Sequence, residues 1–225
     1  MSKTFALATL AIALAAGLPA QVATKANERY QTPEGRQGMA QALADPHRDQ
    51  TQKLGALMFQ MGLKPGMTVA DVGTGVGHLL PFLSRTVGAN GHVIAEDIFD
   101  DFLAAAKQVA EGQKLTNVTF VKGAETDPKL PEAGVDMVLA FDVYHHFDYP
   151  EKMLAGIYKA LRADGKLVIV EYYKREAAMP NGGALTHIRL DMPDLIKEVE
   201  ANRFHLLEER ERIRNVEYML ILEKS

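Results

Sequence analysis

The chain has 225 residues, 47% of them hydrophobic and 24% charged, with a formal net charge of −4. That length and apolar content suffice for one good-sized core, so a single main domain is the default. The acidic balance without a basic run argues against a phosphate-backbone partner, and zero cysteines exclude disulfides, thiolate metal sites and cysteine nucleophiles.

Lys3 precedes a 14-residue charge-free apolar run from Phe5 to Leu18, and Pro19-Ala20-Gln21-Val22-Ala23 follows. This is the layout of a secretory signal, too short to span a bilayer comfortably, so residues 1–23 are expected to be a signal peptide cleaved after Ala20 or Ala23. A functional leader places the protein in the periplasm or outside the cell; a non-functional one leaves it in the cytoplasm. Residues 24–48 read as a linker and N-terminal extension, polar from Thr24 to Arg36 with Pro33 and Gly35. Residues 49–225 read as the main domain. Helical text runs from Gln37 to about Leu63, broken at Asp45-Pro46, with Leu54, Leu57, Met58 and Met61 on one stripe. His47 and Arg48 follow that break, in a turn that reads as solvent-exposed.

A strand is predicted over Met67 to Val72, then the glycine turn Gly73-Thr74-Gly75-Val76-Gly77, then a helix starting near Gly77 or His78, because Pro81 fits only a first turn. Three glycines at alternate positions let backbone approach a ligand closely. Further strands are predicted over His92–Asp97, Val118–Val121, Val135–Phe141 and Lys166–Tyr172. Between them lie a helix with Phe99, Leu103, Ala106 and Val109/Ala110 on one face, a loop over Glu125–Gly134, and a helix from Pro150 burying Met153, Leu154, Ile157 and Leu161. Asp191-Met192-Pro193-Asp194 is a capped helix start with Leu195, Ile196 and Val199 inward. Strands over His205–Glu211 and Val216–Glu223 close the chain as a hairpin, with the mixed-sign run Glu208–Arg212 on a solvated face or edge.

A strand, a glycine turn and a helix form the nucleotide-receiving edge of an α/β sheet. The dinucleotide fingerprint needs glycine at position 78, where His78 stands, and a carboxylate at Asp71 would repel a pyrophosphate but attract a cation. The pattern of Asp71, Gly73, Gly75 and Gly77 resembles the first motif of class I S-adenosylmethionine-dependent methyltransferases. The segment Phe141-Asp142-Val143-Tyr144-His145-His146-Phe147 resembles the strand-four motif of members acting on small molecules and quinones. The likeness is good over residues 50 to 175 and looser in the C-terminal pair, and it extends to leader-bearing members sharing the Leu63-Lys64-Pro65-Gly66-Met67-Thr68-Val69 entry.

The resemblance implies a doubly wound, seven-stranded, mostly parallel sheet with a C-terminal antiparallel hairpin. It also implies S-adenosyl-L-methionine as cofactor and a small-molecule methyl acceptor, with the cofactor held by Asp71, Gly73, Thr74, Gly75, Gly77, Asp97, Ala124, Glu125 and Phe141. The resemblance further implies an N-terminal helix over the cofactor mouth, where His47 and Arg48 could line the pocket instead of a solvent-exposed turn. Asp97 is expected to take the ribose hydroxyls, with Glu96 as competitor. The family's aspartate after strand three is missing from Gly123-Ala124-Glu125, so adenine recognition falls to Glu125 or to the local backbone. Catalytic candidates are Asp142, Tyr144, His145 and His146, beside Glu171 on the neighbouring strand; packing under the next helix is the competing role for both His145 and His146. Two adjacent histidines project in different directions, so this pair alone argues against a metal site. Methyltransferases of trivalent arsenic, which hold substrate by cysteines, are excluded. The alternative to an enzyme is an exported, non-catalytic binding protein of the same fold, favoured by the missing strand-three aspartate. A nicotinamide-dependent oxidoreductase is disfavoured by His78 and the hairpin.

Overall fold

A computed structural model describes residues 21–225, so nearly all of the expected signal peptide lies outside the described residues. In chain order the elements begin with four helices, α1 (Thr24–Asn27), α2 (Pro33–Leu43), α3 (Arg48–Thr51) and α4 (Leu54–Gln60), with a 3-10 turn over Glu28–Gln31. Next come β1 (Thr68–Val72), α5 (Leu80–Val87), β2 (His92–Asp97), α6 (Asp100–Gly112), β3 (Val118–Lys122) and β4 (Val135–Phe141). The 3-10 turn Tyr144–His146, α7 (Pro150–Ala160), β5 (Leu161–Tyr172), α8 (Ala184–His187), α9 (Met192–Ala201), β6 (Phe204–Ile213) and β7 (Glu217–Lys224) complete the chain.

The seven strands form one sheet in the order β3-β2-β1-β4-β5-β7-β6. β1 to β5 are parallel, while β7 pairs antiparallel with both β5 and β6. This is the expected class I methyltransferase-like, doubly wound arrangement. Alternate residues of the inner strands face opposite layers. Ala70, Val138 and Ile169 pack with Leu154, Ile157 and Leu195 on one side, and Val69, Leu139 and Val168 with Leu57, Leu80 and Leu83 on the other. Strands buried on both faces must be apolar at nearly every position, which is why β1 and β4 were legible as mostly apolar runs. Truncating a residue such as Leu154, 0% exposed, would cost about 2–5 kcal/mol.

Four expectations change. The stretch read as linker from Thr24 to Arg36 is helical, begun at α2 by Thr32, whose side chain accepts from the Gly35 N–H, and it packs on the domain through buried Ala23 and Ala26. The helix after the glycine turn starts at Leu80, later than expected, because Gly77 takes φ +81° and cannot be helical. β5 begins at Leu161, extended at φ −67°, ψ 138°, ahead of the predicted Lys166. Arg212, read as solvated, is buried against Glu217, while Glu208 to Glu211 do lie along the sheet's edge strand.

Candidate active site

Strand order reverses between β1 and β4, and a crevice opens there at their carboxyl ends, as expected of a doubly wound sheet. The cavity is lined by the glycine turn, the end of β2, Ala124 and Glu125 after β3, Phe141 to Val143 after β4, and His146 to Asp148. Tyr30 roofs it, stacked on Phe99 with centroids 6.1 Å apart and set edge-on to His146 at 4.9 Å. Burial pushes the Tyr30 hydroxyl up to about 12. Arg48 lines the cavity; His47 is exposed and does not.

The floor is acidic. Asp71 is 2% exposed and its Oδ2 accepts from the Thr74 hydroxyl at 2.7 Å. Asp97 accepts from the Gly75 N–H at 2.9 Å and the Phe99 N–H at 2.9 Å, while Glu96 accepts from the Gly73 N–H at 3.2 Å and keeps Oε1 unpartnered. Burial pushes Asp71 up to about 7 and Asp97 up to about 6, and holds Glu96 well above the usual carboxylate range. Among the described residues no lysine or arginine forms an ion pair with any of the three. Buried charges without partners are costly, so the floor suits a bound cation and disfavours a phosphate.

The glycines divide by role. A Cβ on Gly73, at φ +71°, would lie 2.3 Å from Val143 Cγ2, so this wall of the cavity depends on a bare backbone. Gly77 lies outside the cavity lining, and a Cβ on it would meet the Ala106 backbone at 2.9 Å, so it also serves as a close contact between the turn and α6. Thr74, Gly75, Asp97, Ala124, Glu125 and Phe141 all reach the cavity as expected.

The four catalytic candidates separate. Asp142 lines the cavity at the strained φ of +53°; its Oδ2 accepts from Gln52 at 2.8 Å, and its Oδ1 is buried without a partner. Burial, then the nearby Glu217 and Glu171 carboxylates, holds its carboxyl well above the ordinary range against Arg48. Tyr144 lies outside the cavity lining, donating to Glu198 at 2.7 Å, which also accepts from Arg189. His146 lines the cavity, and His145 stands behind it.

The two histidines have fixed tautomers. Glu171 accepts N–H groups from the backbones of His145 at 3.2 Å and Tyr172 at 2.8 Å, so it acts as acceptor and His145 Nδ1, 2.7 Å away, is the donor. Asn27 spends its amide N–H groups on the His146 carbonyl and Asp148, each at 3.0 Å, so its Oδ1 accepts from His146 Nδ1 at 2.8 Å. Each ring therefore keeps its lone pair on Nε2. His187 of α8, which nothing in the sequence singled out, lies with its Nε2 3.1 Å from that of His145. Burial holds His145 and His146 far below the usual histidine range, hence neutral.

A family model described as a methyltransferase domain matches residues 63–219. The ubiquinone/menaquinone biosynthesis C-methyltransferase UbiE of Marinomonas is 32% identical over 53% of this chain and 48% of its own length, and that of Vibrio vulnificus strain YJ016 is 28% identical over 50% and 44%. The chain thus spans about half the length of the curated relatives it matches. A crystal structure of a SAM-dependent methyltransferase from Aquifex aeolicus superposes with a TM-score of 0.76 at 26% identity, covering 82% of this chain and 96% of that one. Fold, acidic crevice and family match agree, and the chain belongs to the methyltransferase domain family.

Proposed function

We propose that the protein transfers a methyl group from S-adenosyl-L-methionine to a small-molecule acceptor. The observation that carries this reading is the cluster of Asp71, Glu96 and Asp97, buried at the crevice floor without a basic partner among the described residues. The cofactor fits that chemistry, since it brings a sulfonium and an ammonium rather than phosphates. When bound, it supplies an already activated methyl group.

The chain's own residues then have separable tasks. Asp97, held by two backbone amides, keeps lone pairs for the ribose hydroxyls. Asp71 faces the cationic end, and Ala124, Glu125 and Phe141 border the adenine side. Holding an acceptor in line at contact distance can supply on the order of 7–11 kcal/mol, so positioning is the main work of the walls. Where the acceptor atom carries a proton, Asp142 Oδ1 and the neutral His146 are two groups at the cavity able to receive it. A net charge of −4 and an acidic floor favour a neutral or cationic small acceptor over a polyanion. The relatives named above act in quinone biosynthesis, and Leu43, Phe102, Phe147 and Met153 give this cavity the apolar walls that a ring-bearing acceptor requires.

Titration calorimetry with S-adenosylhomocysteine is the test: one tight site per chain is expected, and no heat of binding by folded protein overturns the reading. The alternative, a non-catalytic binding protein, rests on the missing aspartate at Ala124; it predicts the same binding but no consumption of the methyl donor with any of a panel of quinols, phenols and amines.

We also propose export, supported by the leader-like composition of the first residues. Cleavage after Ala20 keeps the Ala23 N–H bond to Asp148 at 3.1 Å, whereas cleavage after Ala23 removes it. Mass spectrometry of the mature N-terminus is expected to find Gln21 first.

A further inference from the structure

We propose that His145, His146 and His187 form a binding site for one divalent transition-metal ion of the zinc class, at the acceptor end of the cavity. Their ligating nitrogens lie within 4.8 Å of one another. Tetrahedral zinc with Zn–N bonds of about 2.0–2.1 Å sets its nitrogens about 3.3 Å apart, so the 3.1 Å between His145 and His187 already matches one edge of that figure. The widest separation in the cluster, at most 4.8 Å, must close by up to about 1.5 Å, which lies within reach because His187 is half-buried and sits in the short helix Ala184–His187.

The outer contacts argue for a ligand more strongly than the distances do. A metal-binding histidine usually gives its other ring N–H to a carboxylate or carbonyl that fixes the tautomer. His145 does so to Glu171 at 2.7 Å, and His146 does so to Asn27 at 2.8 Å. Two imidazoles are thus locked with lone pairs on Nε2 in the same small volume. Only the His145–His187 pair can relieve that crowding, by one N–H···N bond. Glu171 is 0% exposed, and the salt bridges of the described residues give it no partner but His145. A dipositive ion a few ångströms away would supply the missing countercharge. Neighbouring Arg189 is already neutralised by Glu198.

Three neutral imidazoles bind an ion without cancelling its charge, leaving a position for water or an anionic oxygen, as in zinc sites with three protein ligands. Because His146 lines the cavity, that position adjoins the acceptor space, and Asp142 Oδ1 is then left to receive a proton. The site recruits residues from after β4, from α8 and, through Asn27, from α1. The acceptor-side role of that open position rests on the methyl-transfer reading, whereas the metal itself does not and can be measured with no cofactor present.

The test uses untagged, chelator-stripped protein titrated with Co²⁺ alone, followed by displacement with Zn²⁺. One equivalent with visible d–d bands is expected, bleached by one equivalent of Zn²⁺. Glu171→Gln and Asn27→Ala should each weaken binding by about 10–100-fold, and His187→Leu by at least that much. His47→Ala and His205→Ala, both exposed and outside the cluster, should leave the tight equivalent intact. Folding of each variant is checked by its thermal transition, and if His187→Leu does not fold, Asn27→Ala decides. Absence of a tight equivalent in the wild type overturns the proposal, as does unchanged affinity in folded His187→Leu or Asn27→Ala.

Discussion

Two sets of carboxylates lose water on folding, and the chain treats them oppositely. Toward the antiparallel edge, Glu217 of β7 accepts from Arg212 Nε at 2.9 Å, both side chains 1% exposed, and the half-buried Glu198 of α9 takes the Arg189 guanidinium and the Tyr144 hydroxyl. At the ends of β1 and β2, Asp71, Glu96 and Asp97 are as deeply buried but meet only amides and one hydroxyl. The paired set is finished by folding alone, whereas the unpaired set is finished only by a cation from outside. The paired side also supports the other. Arg212 donates to the Gln52 carbonyl, and the Gln52 amide holds Asp142 at the cavity wall.

The sharpest break in that contrast is Arg212→Ala, which strands Glu217 without a countercharge. It should lower stability by about 3–5 kcal/mol in denaturant titrations; a loss no larger than that of a surface charge would erase the distinction. Next in size is a pH effect of the opposite sign to the usual one. Asp71, pushed up to about 7 in the folded state, binds its proton more tightly there than in the unfolded chain, with its ordinary 3.8. The cofactor-free protein therefore loses stability as pH rises from about 4 to about 7, and Asp71→Asn, which cannot ionise, gains on the wild type by up to a few kcal/mol across that window. A stability difference that stays flat with pH would contradict it.

Asp97→Ala should leave the protein folded while weakening S-adenosylhomocysteine binding by about 100-fold, the worth of two lost bonds to a charged group. Equal affinity in calorimetry would move the ribose contact elsewhere, Glu96 first. The smallest effect is expected at Tyr144→Phe: about 1 kcal/mol of stability and no change in cofactor affinity. A matched drop in binding would return Tyr144 to the site.

Most of the sheet was legible because buried parallel strands leave continuous apolar runs bounded by turn residues; β2 and β4 were located to the residue. The glycine turn was legible for the same local reason, but spacing could not tell that Gly77 also packs closely against Ala106. Arg212 was misread because a mixed-sign run looks solvated at every position, while strand alternation turns one residue of it inward beside Glu217. His187 carried no signal: it is a lone histidine whose partners lie 41 and 42 positions earlier, and only the chain's return over the strand ends brings it to them. The segment from Thr24 to Tyr30 was taken for a tether because it buries few apolar residues and has no helical period. Its attachments are polar and aromatic, made to His146, Asp148 and Phe99.

Those attachments set the traffic of the crevice. Tyr30 and Asn27 line it through short helical turns fastened at Asp148 and His146, so on the proposed reading the amino-terminal segment borders the ligand's way in and out. Residence time then depends on how firmly some ten residues at the start of the described chain are fastened, and loosening Asn27 should quicken departure while leaving the acidic floor intact.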